Sequence, residues 1–164
     1  MEDFVRATRR DLWRFLAYLS DVQSADDLTQ ETYLRAWKAL PGFAGTSSAR
    51  TWLLSIARRV VVDRYRAASA RPRTVGVDDW ADVVERRQTV HGPGFDEGVV
   101  LTDLLRGLDP ARRAAFVLTQ VLGLEYAETA RILGCPVGTV RSRVARARAD
   151  LVALMASAEQ MQSA

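Results

Sequence analysis

Apolar residues recur with helical spacing along most of the chain. Near its start, Val5, Leu12, Phe15, Leu16 and Leu19 fall on one stripe, which predicts a helix over 4–19. A second helix is predicted from Ser24, where Ser24 and Asp27 resemble a capping box, to about Leu40. Its inward face would carry Leu28, Thr32, Ala36 and Ala39. Pro41-Gly42 ends it, and 41–48 is small and flexible apart from Phe43. Ser48 can cap a third helix over 49–68, with Leu53, Ile56, Ala57 and Val60 inward.

Periodicity fades between 67 and 94, where Pro72, Gly76 and Gly92-Pro93-Gly94 fall, with a weak helical signal over 79–88. A structureless loop of that length is unusual inside one compact domain. Two domains, 1–68 and 95–164, joined by a linker over 69–94, are the simpler expectation. Helical periodicity then resumes over 96–106. Asp109 is placed to cap a helix with Pro110 at its first position, running to about Leu122 with Gly123 as its stop. Two more helices are predicted over 126–133 and 136–155, separated by Gly134-Cys135. Strand signal is weak, since Val60-Val61-Val62 lies inside a helical pattern. The expected fold is all-α: two small helical domains joined by a flexible linker, the second containing a helix-turn-helix.

Composition narrows the function classes. Of the 164 residues, 48% are hydrophobic, enough to build cores, yet no apolar run is long enough to span a membrane. The opening MEDFVRATRR lacks an apolar stretch behind a basic start, so no signal peptide is expected. The single Cys135 cannot form an intrachain disulfide. A soluble cytoplasmic protein is expected. Net charge is +3, but charge is unevenly placed. Over 48–73, Arg50, Arg58, Arg59, Arg64, Arg66, Arg71 and Arg73 face a single acid, Asp63. Over 74–103, Asp78, Asp79, Asp82, Glu85, Asp96, Glu97 and Asp103 face only Arg86 and Arg87. Such runs are often solvated faces, but the basic block also suits a polyanion.

The most informative segment is LEYAETARILGCPVGTVRSRVARARADL, 124–151. Ala127, Ala130 and Leu133 would face inward from a short helix, and Gly134 would turn the chain. In the following helix, Val140, Val144, Ala147 and Leu151 make a narrow inward stripe, leaving Thr139, Arg141, Ser142, Arg143, Ala145, Arg146 and Arg148 outward. A recognition helix needs such a face: arginine can bond guanine bidentately, flanking arginines hold phosphates, and small residues permit close approach. An exposed amphipathic helix would share the periodicity, but not the short helix and glycine turn before it.

At these residues the chain resembles region 4.2 of extracytoplasmic-function (group 4, sigma-70 family) RNA polymerase sigma factors, in which this helix reads the −35 promoter element. The family usually has Ser or Thr where Glu125 stands, a weaker cap that still favours the positive helix end. Within SADDLTQETYLRAW, the residues Asp26, Asp27, Gln30, Glu31, Arg35 and Trp37 resemble region 2.2, which docks on the β′ clamp helices of core polymerase. Asp27, Gln30, Glu31 and Arg35 share a helix face suited to arginines of a partner. SARTWLLSIARRVVVDRYR resembles regions 2.3 and 2.4, which melt and read the −10 element. The resemblance implies that Phe43, Ser48, Arg50, Trp52, Arg58, Arg59, Arg64 and Arg66 hold −10 DNA, with 41–48 forming a pocket for a flipped base. Melting needs cations and aromatics to hold displaced bases, although Trp52 also fits core burial beside Leu53 and Ile56. The family often has Asn at Arg59, which leaves the −10 sequence preference open. The resemblance also implies that the acidic linker threads through the polymerase, that the second domain meets the β flap, and that an anti-sigma factor can be a further partner.

Two other readings compete. A stand-alone dimeric helix-turn-helix regulator would explain 124–151 but leave SADDLTQETYLRAW without a purpose. An enzyme is poorly served: His91 stands alone in the linker, no GxxxxGK[ST] loop is present, Cys135 lacks a partner histidine, and adjacent Asp26 and Asp27 point apart on a helix. No catalytic residue, metal site or cofactor is expected.

Overall fold

The structure, a computed structural model, describes residues 2–69 and 97–162. The expected linker past Ser69, its acidic residues, its weak helix and His91 lie outside the described residues. Among the described residues every regular element is helical. The first half is a three-helix bundle of α1 (Glu2–Leu19), α2 (Val22–Ala39) and α3 (Ala49–Ser69). Leu12, Phe15, Leu16, Leu53, Leu54 and Val61 are almost wholly buried between them. Full burial of each such side chain contributes about 1.5–3 kcal/mol. Thr29 and Thr32, also buried on α2, turn their hydroxyls back onto the carbonyls of Ala25 and Leu28, both at 2.7 Å. Their polar atoms therefore cost little inside the bundle.

Caps fix the helix starts. Ser48 Oγ accepts the Thr51 amide at 3.0 Å, as the sequence suggests. The cap of α2, however, is Asp21 rather than Ser24. Asp21 takes an extended backbone and its carboxylate accepts the Ser24 amide at 2.6 Å, which puts Ser24 inside the first turn. Ala39 is exposed, because a 3-10 turn at Leu40–Gly42 leads the chain away from the bundle just after it.

The second half contains α4 (Glu97–Arg106), α5 (Pro110–Phe116), α6 (Tyr126–Leu133) and α7 (Val137–Gln162). Asp109 Oδ1 accepts the amides of Ala111 and Arg112 at 3.0 and 3.1 Å, with Pro110 at the first position. The helix expected through Leu122 changes character after Phe116: Val117–Val121 forms a π-helical turn before Gly123 stops it at φ 68°. Arg113 is half-buried and donates to the carbonyls of Arg106 and Leu108 at 2.8 and 3.1 Å. It thereby satisfies carbonyls left unpaired where α4 ends. Burial pulls its guanidinium below the ordinary value, but an arginine still stays charged. α7 runs seven residues beyond the expected end at 155, and an Arg112–Asp150 ion pair of 2.6 Å ties it to α5.

The halves are in contact. α1 packs on α4 and α5, α3 packs on α6, and buried residues of both halves join into one connected apolar core.

Candidate nucleic-acid interfaces

The helix-turn-helix is built by one tight turn. Gly134 ends α6 in the left-handed region, φ 63° and ψ 38°, and its amide bonds the Ala130 carbonyl. The Cys135 amide reaches the same carbonyl at 3.1 Å, the six-to-one bond of a Schellman turn. Glu125 supplies no side-chain cap to α6. The helix forms regardless, anchored by buried Thr129, Ala130, Ile132 and Leu133. Ala127, expected inward, is exposed.

On α7, Val140, Val144 and Ala147 are buried at 0%, 1% and 0% exposure, which fixes the opposite face outward. Leu151 is only half-buried. Arg141, Ser142, Ala145, Arg146 and Arg148 are exposed, while Thr139 and Arg143 are half-buried. Arg141 with Ala145, and Ser142 with Arg146, make two adjacent i, i+4 rows. Ser142 Oγ donates back to the Thr139 carbonyl at 2.9 Å, so its hydroxyl lies low on the helix. Two expected DNA contacts are already engaged: Arg143 reaches Cys135 Sγ at 3.6 Å and Arg148 donates to Gln120 Oε1 at 2.7 Å. Both brace α7 against its own domain.

The basic helix α3 divides along its length. Arg59, Arg64 and Arg66 are exposed on its C-terminal part, and Arg64 donates to Ser24 Oγ at 3.2 Å. Arg58 is half-buried. Trp52 is half-buried against the core, as its spacing beside Leu53 and Ile56 suggests, and the Phe43 ring lies tilted against it with centroids 4.7 Å apart. Exposed Ser48 lies beside this pair. Arg50 is held from two sides: its guanidinium pairs with Asp11 on α1 at 2.6 Å and donates to the Leu122 carbonyl at 2.9 Å.

On α2, Asp26, Asp27, Gln30 and Trp37 are exposed, Trp37 by 63%. Leu34 and Leu40 are exposed beside Trp37 and extend an apolar edge that the sequence reading did not single out. Asp26 accepts the Trp13 indole N–H at 3.1 Å. Arg35 is not a free partner-seeking cation, since it binds Glu31 at 2.7 Å and pairs with Asp63 of α3. The Asp63 hydrogen bond, then that to Glu31, hold its guanidinium above the usual value. Asp11, Trp13 and Asp63 are therefore positioning residues with no local sequence signal; each acts on a residue of another helix. No group of three or more metal-ligating side chains occurs among the described residues, and no helix there is long and apolar enough to cross a membrane.

Comparison with known proteins places both halves. Residues 4–71 match the family model "Sigma-70 region 2", and 99–151 match "Sigma-70, region 4". The chain is 53% identical over 153 residues to the ECF RNA polymerase sigma factor SigC of Mycobacterium tuberculosis, covering 93% of this chain and 82% of that one. It is 36% identical over 131 residues to the ECF sigma-E factor of Salmonella typhimurium, covering 74% and 69%. Among solved structures it is similar to the sigma factor RpoE of Bartonella quintana, in complex with the anti-sigma factor NepR, at TM-score 0.70 and 27% identity over 94% of this chain and 98% of that one. It is equally similar to CnrH in complex with the cytosolic domain of CnrY, at TM-score 0.70 and 26% identity over 95% and 87%.

Proposed function

We propose a residue-level mechanism from one premise: this chain belongs to the extracytoplasmic-function sigma factors of the sigma-70 family, alternative subunits that bind core RNA polymerase and direct it to specific promoters. In this reading 1–68 is the polymerase-docking and −10 domain, 69–94 the acidic linker, and 95–164 the −35 domain. Asp26, Asp27 and Gln30 present charge and amide groups to the β′ clamp helices, with Trp37 as the aromatic anchor. Glu31 and Arg35 hold the docking helix against α3 through Asp63. Arg141, Ser142, Ala145 and Arg146 meet the −35 major groove, with Thr139, Arg143 and Arg148 at its margins. Arg59, Arg64 and Arg66 hold −10 phosphates, while Arg50, Arg58, Ser48 and the Phe43–Trp52 pair surround a base leaving the stack. The β flap receives the second domain. The chain supplies binding rather than phosphodiester chemistry, acts in the bacterial cytoplasm, and needs no cofactor. An anti-sigma factor is a further partner by analogy with the Bartonella quintana relative, solved in complex with one.

The observation carrying this reading is the outward face of α7, two rows bearing Arg141 and Arg146 above the wholly buried Val140 and Ala147. The test is transcription by core polymerase on a genomic promoter library, with and without the protein. Promoter-specific transcripts that appear only on its addition support the reading and define both elements. Tight duplex binding by the protein alone, without new transcripts, would favour a stand-alone regulator instead.

A further inference from the structure

Arg148 differs from the other engaged arginines in what holds it. Arg35, Arg50 and Arg112 pair with carboxylates, which offset their charge. Arg148 is held by an uncharged amide: its Nη2 donates to Gln120 Oε1 at 2.7 Å, across 28 positions of sequence. Both residues are exposed. The tether therefore restrains where the guanidinium stands and leaves its positive charge in place.

The amide is itself oriented. Thr119 is buried, and its hydroxyl donates to the Ala115 carbonyl at 2.8 Å, so toward Gln120 it can only accept. Gln120 Nε2 donates to that hydroxyl at 3.1 Å, which turns Oε1 toward Arg148. Both residues lie in the π-helical turn, where the Leu122 amide bonds the Val117 carbonyl at 2.9 Å. Val117, Leu118 and Thr119 are all buried there, and Gln120 is the next residue to reach the surface. Turns of this kind are rare and occur frequently at functional sites. On α7, Arg141 and Arg148 stand at i and i+7, on one edge of the outward face. Arg148 is thus about 10 Å further along the helix axis than the arginine assigned to bases. A phosphate within its reach must compete with Gln120 for the guanidinium.

We propose that Gln120 is a positioning residue that holds Arg148 back in the unbound chain, and that Arg148 exchanges the amide for a −35 phosphate when α7 is seated in the groove. The exchange sets how strongly the −35 element is held, not how selectively, because phosphate contacts position a helix and carry no sequence information. This rests on the sigma-factor reading for the identity of the DNA, but the Thr119–Gln120–Arg148 chain is a property of the fold alone.

The test uses the full-length protein in holoenzyme with core polymerase. The probes are a promoter identified by the transcription assay and the same promoter with its −35 element scrambled, each over a range of salt. Gln120→Leu removes the acceptor at an exposed site and keeps a good helix former. Gln120→Glu turns the tether into an ion pair. Gln120→Leu is also combined with Arg148→Ala, and circular dichroism checks that helix content is retained. Gln120→Leu should tighten binding on the order of threefold, the scale of one modest hydrogen bond released. It should also steepen the slope of log affinity against log salt by up to about 0.9, the contribution of one phosphate contact. The tightening should be equal on both promoters, and Gln120→Glu should move affinity and slope the opposite way. With Arg148→Ala in place, Gln120→Leu should change neither, which a general effect on folding would not reproduce. Unchanged affinity and slope in Gln120→Leu would overturn the restraint. Weaker binding would also overturn it, and would mean that Gln120 aims Arg148 at the phosphate instead of withholding it. Tightening that persists without Arg148 would overturn the coupling, and tightening confined to the intact −35 element would overturn the assignment of Arg148 to phosphate. Failure of wild type to support promoter-specific transcription would overturn the sigma-factor reading and, with it, the DNA element named here.

Discussion

One chemical change made at two glycines four residues apart should have opposite signs. Gly134 sits at φ 63° and Gly138 is the second residue of α7, without a positive φ. At either position an added Cβ meets nothing within 4 Å, so sterics do not decide the outcome. At Gly134 the cost is torsional. An L residue held in the left-handed region costs roughly 1–2 kcal/mol, and the lower entropy of the unfolded chain offsets part of it. Gly134→Ala should therefore destabilise by about 1 kcal/mol. At Gly138 alanine suits the helix and the unfolded chain loses freedom, so Gly138→Ala should stabilise by about 0.5–1 kcal/mol. For a chain of this size each kcal/mol moves the midpoint by about 2–4 °C. Thermal melts followed at the helical circular-dichroism band should thus show Gly134→Ala below wild type and Gly138→Ala above it. If both shift in the same direction, the left-handed turn is not what sets the angle between α6 and α7, and the argument for a fixed recognition helix fails with it.

Other outcomes follow from exposure and burial. Arg141→Ala should cost about 1–3 kcal/mol against the cognate −35 element if it bonds a base edge; the check is binding of holoenzyme to cognate and mismatched promoters, and equal losses on both would reassign Arg141 to phosphate. Trp37→Ala, at a side chain 63% exposed, should weaken core polymerase binding by about 2 kcal/mol or more while leaving the melting midpoint unchanged; a competition assay between labelled wild type and variant measures the first, and a matching fall in stability would show Trp37 to be structural. Phe15→Ala, at a wholly buried ring between α1 and its neighbours, should cost about 3–5 kcal/mol in urea denaturation, and a loss under 1 kcal/mol would mean that the bundle does not close on Phe15.

Much of this organisation is legible along the chain because it is local. The caps at Ser48 and Asp109, the stops at Gly123 and Gly134 and the stripe of Val140, Val144 and Ala147 each depend on residues within a turn or two of one another. Where local signals compete, the reading slips by a turn. Ser24 and Asp21 both suit a cap, and Asp21 prevails because its carboxylate reaches the Ser24 amide from an extended residue that still leaves Leu28 and Thr32 buried. The π-helical turn at Val117–Val121 is not marked by a Gly or Pro, so nothing in the local sequence separates it from the α-helix before it. The state of each arginine is the least legible property of all. Arg35, Arg50, Arg141 and Arg148 look alike in sequence as exposed helical cations. In the structure Arg35 is neutralised by Glu31 and Asp63, Arg50 by Asp11, and Arg148 is tied to Gln120, which leaves Arg141 on the open face of α7. A guanidinium already bonded within the fold must give up that bond before it can hold a phosphate, so its net contribution to DNA binding is smaller than that of an equally exposed but unengaged one. Counting arginines therefore locates the polyanion-binding helices, but ranking them requires the partners that only tertiary packing brings within reach.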